Sequence, residues 1–341
     1  MKKLFLTFAF IVGIVNVCFA QNQFVATLQH GDHFSHFYGV DALFDAYNSS
    51  VDGDIITLSS GSFKFSGDFN KGVTLRGAGI DRQERTIITS EMTFLSTEPN
   101  RVTIIEGIQF VGTTAFYSSY RQDGTSNGKI IFNHCRFESI YGTYNDNLST
   151  LMSVQFSGCL CGYINFNTAG LRKFNIEVTN SYVEDMSLDG GNHYNFDHCL
   201  IIIDNSFISS AVITNSILFS SYQNYLDSGT TATYCLGVSA IEDWDMFEYL
   251  YDTNTNKMNF HYSEIFKTFN PSEGYTLGET FDLTESAQQT YIGGDGSQVG
   301  MHGGLAAYLL NLQYPIVTKL KANSHTTKEG MLAIDVEVDG K

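Results

Sequence analysis

Basic residues are scarce in this chain, and over one long stretch they are missing. The 341 residues carry 19 Lys and Arg against 36 Asp and Glu. From Phe174 to Asn256 no Lys or Arg occurs, while twelve acidic residues do. Phosphate binding needs clustered Lys and Arg, so nucleic acid is excluded as a partner. Whatever meets the acidic stretch is neutral, cationic or bridged by a metal. Long apolar runs are also lacking after residue 20, so a membrane-spanning chain is not expected. Cysteine offers no paired motif: Cys159-Gly-Cys161 lacks the two-residue spacer of a zinc site and has no matching second pair.

The first twenty residues, MKKLFLTFAFIVGIVNVCFA, combine two lysines, an apolar run and a small-x-small ending. They read as a signal peptide cleaved after Ala20, and Val17 before Cys18 argues against lipid attachment there. The expectation is an exported protein, periplasmic, secreted or at the cell surface. Cleavage leaves five cysteines, an odd number at wide spacing, which favours free core thiols over disulfides.

A repeat accounts for four of them. Six segments align: TIIEGIQF at 103–110, IIFNHCRF at 130–137, VQFSGCLC at 154–161, IEVTNSYV at 176–183, YNFDHCLI at 194–201 and AVITNSIL at 211–218. Their anchors, Ile108, Cys135, Cys159, Ser181, Cys199 and Ser216, lie about 22 residues apart on average. Each copy alternates like a strand, is interrupted by a small or polar pair, and then alternates again. The interrupting column reads Gly107, His134, Gly158, Asn180, His198 and Asn215, residue types that tolerate left-handed backbone. One such unit cannot bury its apolar face alone, so copies must stack about 4.8 Å apart with the anchors pointing inward.

The pattern φ-x-φ-x-N-(C/S)-x-φ resembles the coils of right-handed parallel β-helices of the pectin-lyase-like superfamily. GVDALFDAYNSSVDGDIITLSSGSF at 39–63 is similar to the capping helix and first strand of such folds. KGVTLRGAG at 71–79 resembles the strand and turn that follow, and YIGGDGSQVGMHGG at 291–304 the closing phrase. Helical spacing agrees for Ala42, Leu43, Ala46 and Tyr47, which share a face. The expected organisation is an all-β solenoid over 21–304, irregular from about 220, followed by two strands within 305–341 that cap it or are appended to it.

Fold alone assigns no function. The Asp-Asp, Gly-His-Gly and Arg-x-Lys marks of polygalacturonase-like hydrolases are missing. So is the R-x-P-x-x-R phrase of pectate lyases, since Pro99, Pro271 and Pro315 all lie elsewhere. Phe196-Asp197-His198 resembles a fragment of a lyase motif, yet Asn133-His134 fills the same columns and the repeat explains both. Candidate catalytic residues are Arg136, Asp185 and His198. Glu184, Asp185 and Asp189 are the candidate ligands for calcium. His30, His33 and His36 are evenly spaced, but the glycine and aromatics among them favour strand or loop over a metal site. Tyr141, Tyr144, Tyr163 and Tyr182 are the candidate ligand-binding residues, because successive coils could present their rings as a strip for sugar faces. Two readings stand. In one, an exported β-helix binds a polysaccharide or a cell-surface glycan without catalysis. In the other, it is a polysaccharide lyase or glycoside hydrolase acting on a plant or host glycan.

Overall fold

The computed structural model describes residues 24–80, 84–95, 98–118, 128–144, 151–166, 174–204, 206–221, 226, 229–240, 255–308, 316–322 and 334–339. The expected signal peptide and its expected cleavage point lie outside them. Alternation in the repeat produces two long sheets wound as a parallel β-solenoid of about seven turns. The first sheet runs through Ile55–Leu58, Thr74–Arg76, Val102–Glu106, Lys129–Asn133, Met152–Ser157, Phe174–Thr179, His193–Asp197, Ala211–Thr214 and Thr231–Thr233. The second includes Ile108–Ser118, Arg136–Tyr144, Leu160–Asn165, Tyr182–Leu188, Leu200–Ile202, Ile217–Ser220, Leu236–Ser239 and Lys257–His261. Copies stack in the register that the repeat implies: Phe132 faces Phe156, Phe156 faces Val178 and Val178 faces Phe196.

Every bend residue of the repeat is left-handed, with φ of 64° at Gly107, 49° at His134, 60° at Gly158, 48° at Asn180, 52° at His198 and 50° at Asn215. Tyr234 continues the column at φ 55°. The anchors are buried as expected, and the five described cysteines are free thiols. Hydrogen bonds tie the column together: Ser181 Oγ accepts from Cys159 N at 2.9 Å, and Ser216 Oγ accepts from Cys199 N at 2.9 Å. Burial pushes the Cys199 and Cys235 thiols up to about 12, and raises Cys135 and Cys161 as well. The repeat did not foretell a second ladder, of phenylalanines. Phe110 stacks on Phe137 at 4.9 Å and Phe132 on Phe156 at 5.4 Å, which fills the space the small anchors leave.

At the N-terminal end a hairpin of Val25–His30 and His33–Tyr38 pairs antiparallel to Ile55–Leu58. Helix α1, Ala42–Ser49, buries Ala42, Leu43, Ala46 and Tyr47, the face expected from spacing. The three early histidines sit in this hairpin, where His30 Nδ1 meets Asp54 Oδ1 at 2.7 Å.

The closing phrase lies along the bend column. Asn180 Nδ2 donates to Met301 O at 3.0 Å and Gly303 O at 2.8 Å. Gly294 N donates to Asn215 Oδ1 at 2.8 Å, and Gly300 N donates to Asn215 O at 2.8 Å. His198 Nε2 meets Asp295 Oδ2 at 3.1 Å. Glycine at 303 is required by this approach, because a Cβ there would collide with the His198 ring and Gln298 O. A second compact unit begins at Leu309. In it, Ile316–Ala322 and Ile334–Asp339 form an antiparallel pair.

Two outcomes follow from the column. Asn180→Gly keeps the left-handed backbone and removes both clamp bonds, so urea titration should show a loss of roughly 2 kcal/mol. A loss below about 0.5 kcal/mol would show that the closing phrase does not depend on the ladder. The five thiols should resist a thiol-labelling reagent in the native protein and react together on unfolding. Labelling of any one under native conditions would contradict its burial.

Candidate functional site

The second sheet turns a corner after its first two residues per rung, and the corner leaves two consecutive residues facing outward. In three successive rungs these are Glu138 and Ser139, Gly162 and Tyr163, then Glu184 and Asp185. Before the corner another outward column stacks Gln109, Arg136, Leu160 and Tyr182. Lower on this face the apolar residues of segment 262–290 cover the sheet: Ile265, Phe266, Phe269, Phe281 and Leu283 are buried. The edge of that cover is Tyr275. Between it and the sheet opens a cavity of ≈ 370 Å³ lined by Gln109, Arg136, Leu160, Tyr182, Glu138, Gly162, Glu184 and Tyr275, with neighbouring strand residues.

Leu160 and Gly162 form an apolar floor. A side chain at 162 would place its Cβ 2.6 Å from Glu138 O, so close contact between rungs keeps this position bare. The Arg136 guanidinium lies 4.9 Å from the centre of the Tyr275 ring, a cation–π contact along one wall. Glu138 Oε2 accepts from Gly112 N at 2.9 Å. The Glu184 carboxyl is raised above its ordinary value, first by loss of solvent at the rim; Asp185 pushes it further and Arg136 opposes both. Two buried polar atoms on the lining residues, Gln109 Oε1 and Tyr182 OH, have no hydrogen-bond partner among the described residues.

The residues singled out in the sequence divide between this place and others. Arg136 and Glu184 line the cavity. Tyr141 and Tyr163 meet past the corner, their rings 5.7 Å apart and edge to face, both half-buried. The Tyr144 side chain lies outside the described residues. Tyr182 differs from the expectation of an exposed strip: only 1% of its surface is exposed. Phe281 stacks on it at 5.3 Å and Phe269 packs edge-on at 6.0 Å. Burial raises its phenol well above the ordinary range.

The three candidate calcium ligands are not brought together. Asp185 accepts from Ser206 Oγ at 3.3 Å, whereas Asp189 is buried, taking Gly191 N and Asn192 Nδ2, each at 3.2 Å. Among the described residues, no group of three or more His, Cys, Asp or Glu is placed to hold a metal ion. His198 is 2% exposed beneath Gly303 and Gly304, so its ring serves the bend and its clamp.

Sequence reasoning missed Gln109, Glu138 and Tyr275. The first two were legible in principle, because they share outward columns with Arg136 and Glu184. Tyr275 was not, since it belongs to the region where the repeat stops. Comparison with family models, with curated proteins and with solved structures finds no match for this chain.

The raised carboxyl sets a pH dependence. A folded-state value above the unfolded one contributes stability that is fully present below the ordinary value of 4.5 and is lost as pH rises through the folded value. Glu184→Gln cannot ionise. Its melting temperature should therefore match the wild type near about pH 4 and exceed it near about pH 7. Equal melting temperatures at both values would contradict the raised Glu184 carboxyl.

Proposed function

We propose that the chain is an exported β-helix protein of pectin-lyase-like architecture that binds carbohydrate on the outer face of its second sheet without catalysis. The observation that carries this reading is the ≈ 370 Å³ cavity, which joins an aromatic wall at Tyr275 to polar groups from Gln109, Arg136, Glu138 and Glu184. Its size falls in the range of small-molecule sites, and an aromatic face with a few placed polar groups suits a sugar ring. The Tyr141 and Tyr163 pair lies further along the same strands and offers a second contact. The leader sequence supports export. The acidic, cation-free run from Phe174 to Asn256 supports a partner without negative charge.

A second reading, glycoside hydrolase or polysaccharide lyase, is favoured by one observation. Glu138 and Glu184 stand two rungs apart, about 9.6 Å between backbones, on either side of bare Gly162. A raised carboxyl opposite a second carboxylate is the arrangement that glycosidic bond cleavage uses. Against it, Glu138 is engaged with Gly112 N, and Arg136, the cavity's cation, lies against the Tyr275 ring.

The test is a glycan-array screen of the mature protein with and without calcium, followed by a reducing-sugar assay and ultraviolet detection of unsaturated uronate. Binding without turnover is expected, weakened about tenfold by Tyr275→Ala. New reducing or unsaturated ends, lost in Glu184→Gln, would replace the binding reading with the enzymatic one. No binding to any glycan would overturn both.

A further inference from the structure

Buried polar atoms in folded proteins almost always find a partner, and each exception calls for an explanation. Among the described residues two of these exceptions, Gln109 Oε1 and Tyr182 OH, belong to residues lining one cavity. Strand register places them at opposite ends of a single outward column: Gln109 pairs with Arg136, Arg136 with Leu160 and Leu160 with Tyr182. Three rung spacings, about 14 Å between backbones, separate the two. Between them lie the apolar floor of Leu160 and Gly162 and three charges: Arg136, Glu138 and Glu184.

We infer that the cavity takes a neutral oligosaccharide, with ring hydroxyls bonded to the Gln109 amide at one end and to the Tyr182 hydroxyl at the other. This deepens the carbohydrate-binding reading and rests on it. The chemistry selects the hydroxyl. A carboxylate has no proton to give Gln109 Oε1, and an ammonium has no lone pair for the Tyr182 proton, whereas a hydroxyl supplies both. It also satisfies either orientation of the Gln109 amide. Two carboxylates against one guanidinium leave the cavity negative, so a uronate ring meets repulsion there. The span exceeds a single ring, which makes the ligand an oligomer. Tyr182 acts here as a binding residue under the edge of the cover. Tyr275, 6.3 Å from it between two glycines of left-handed backbone, Gly274 and Gly278, is the side chain that must tilt to admit the ligand.

The experiment titrates gluco-, manno- and galacto-oligosaccharides and oligogalacturonides into wild type, Tyr182→Phe and Gln109→Leu by calorimetry, with melting curves taken in parallel. A neutral series should bind and the oligogalacturonides should not. Each variant should bind that series about five- to tenfold more weakly. Tyr182→Phe should also melt above the wild type when no sugar is present, because it deletes an unpartnered buried hydroxyl. Wild-type affinity in both variants, or preference for oligogalacturonides, overturns this inference while leaving carbohydrate binding in place. Failure of the wild type to bind any of the four series overturns both.

Discussion

One residue per rung held in left-handed backbone is the constraint on which the rest of the molecule depends. L-residues enter that region at a cost, and only glycine, asparagine and a few others do so readily. The chain repeats the cost from Gly107 through Tyr234 at nearly constant φ. That constancy lets each rung lie in register on the last, and register sends alternate side chains of both sheets into one core. A rung that missed the turn would reverse the inward and outward sets of the strand that follows. From His134 onward the anchor after each bend is Cys or Ser, small because the backbone has just turned inward there. The large phenylalanines occupy the strand positions on either side, where the core is wide enough to stack them.

The same bends hold the C-terminal segment. Asn180 donates its side-chain NH2 to the backbone of the closing phrase, Asn215 accepts from that backbone through its side-chain oxygen, and the His198 ring meets Asp295. The preceding residues, 262–290, lay their apolar side chains over the lower rungs of the second sheet. The cavity exists because that cover stops at Tyr275 while the sheet continues beneath it. Core, clamp, cover and cavity therefore form a sequence of dependencies, each set by the one before.

The solenoid and its inward column were legible in the sequence because both come from short-range periodicity, which twenty-odd residues suffice to reveal. Bend positions, buried anchors, free thiols and the buried face of α1 could all be read from spacing and residue type. The candidate site was legible only in part. Arg136 and Glu184 stood out as charges on outward positions, but their meeting with Tyr275 joins positions 139 and 91 residues apart through a segment that does not repeat. Tyr182 shows the reason most directly. Its register places it on the outer face, and only the distant Phe269 and Phe281 decide that the outer face is covered there. His198 and Asp189 differ likewise, since a buried hydrogen-bond network and an exposed ligand set look the same as a string of letters.

The stacked thiols bear on how the chain reaches its folded state. Cys135, Cys159 and Cys199 stand on successive or near-successive rungs, and nothing but closure of the core separates them from oxidants. In a reducing environment the order of events is immaterial. In an oxidising one, assembly of the middle rungs is in a race with chemistry, because a bridge formed in the open chain would lock two rungs before their strands had found register. The yield of native protein then depends on the rate at which the middle coils zip together as well as on final stability, and a mild reductant during refolding would serve the same end as faster nucleation.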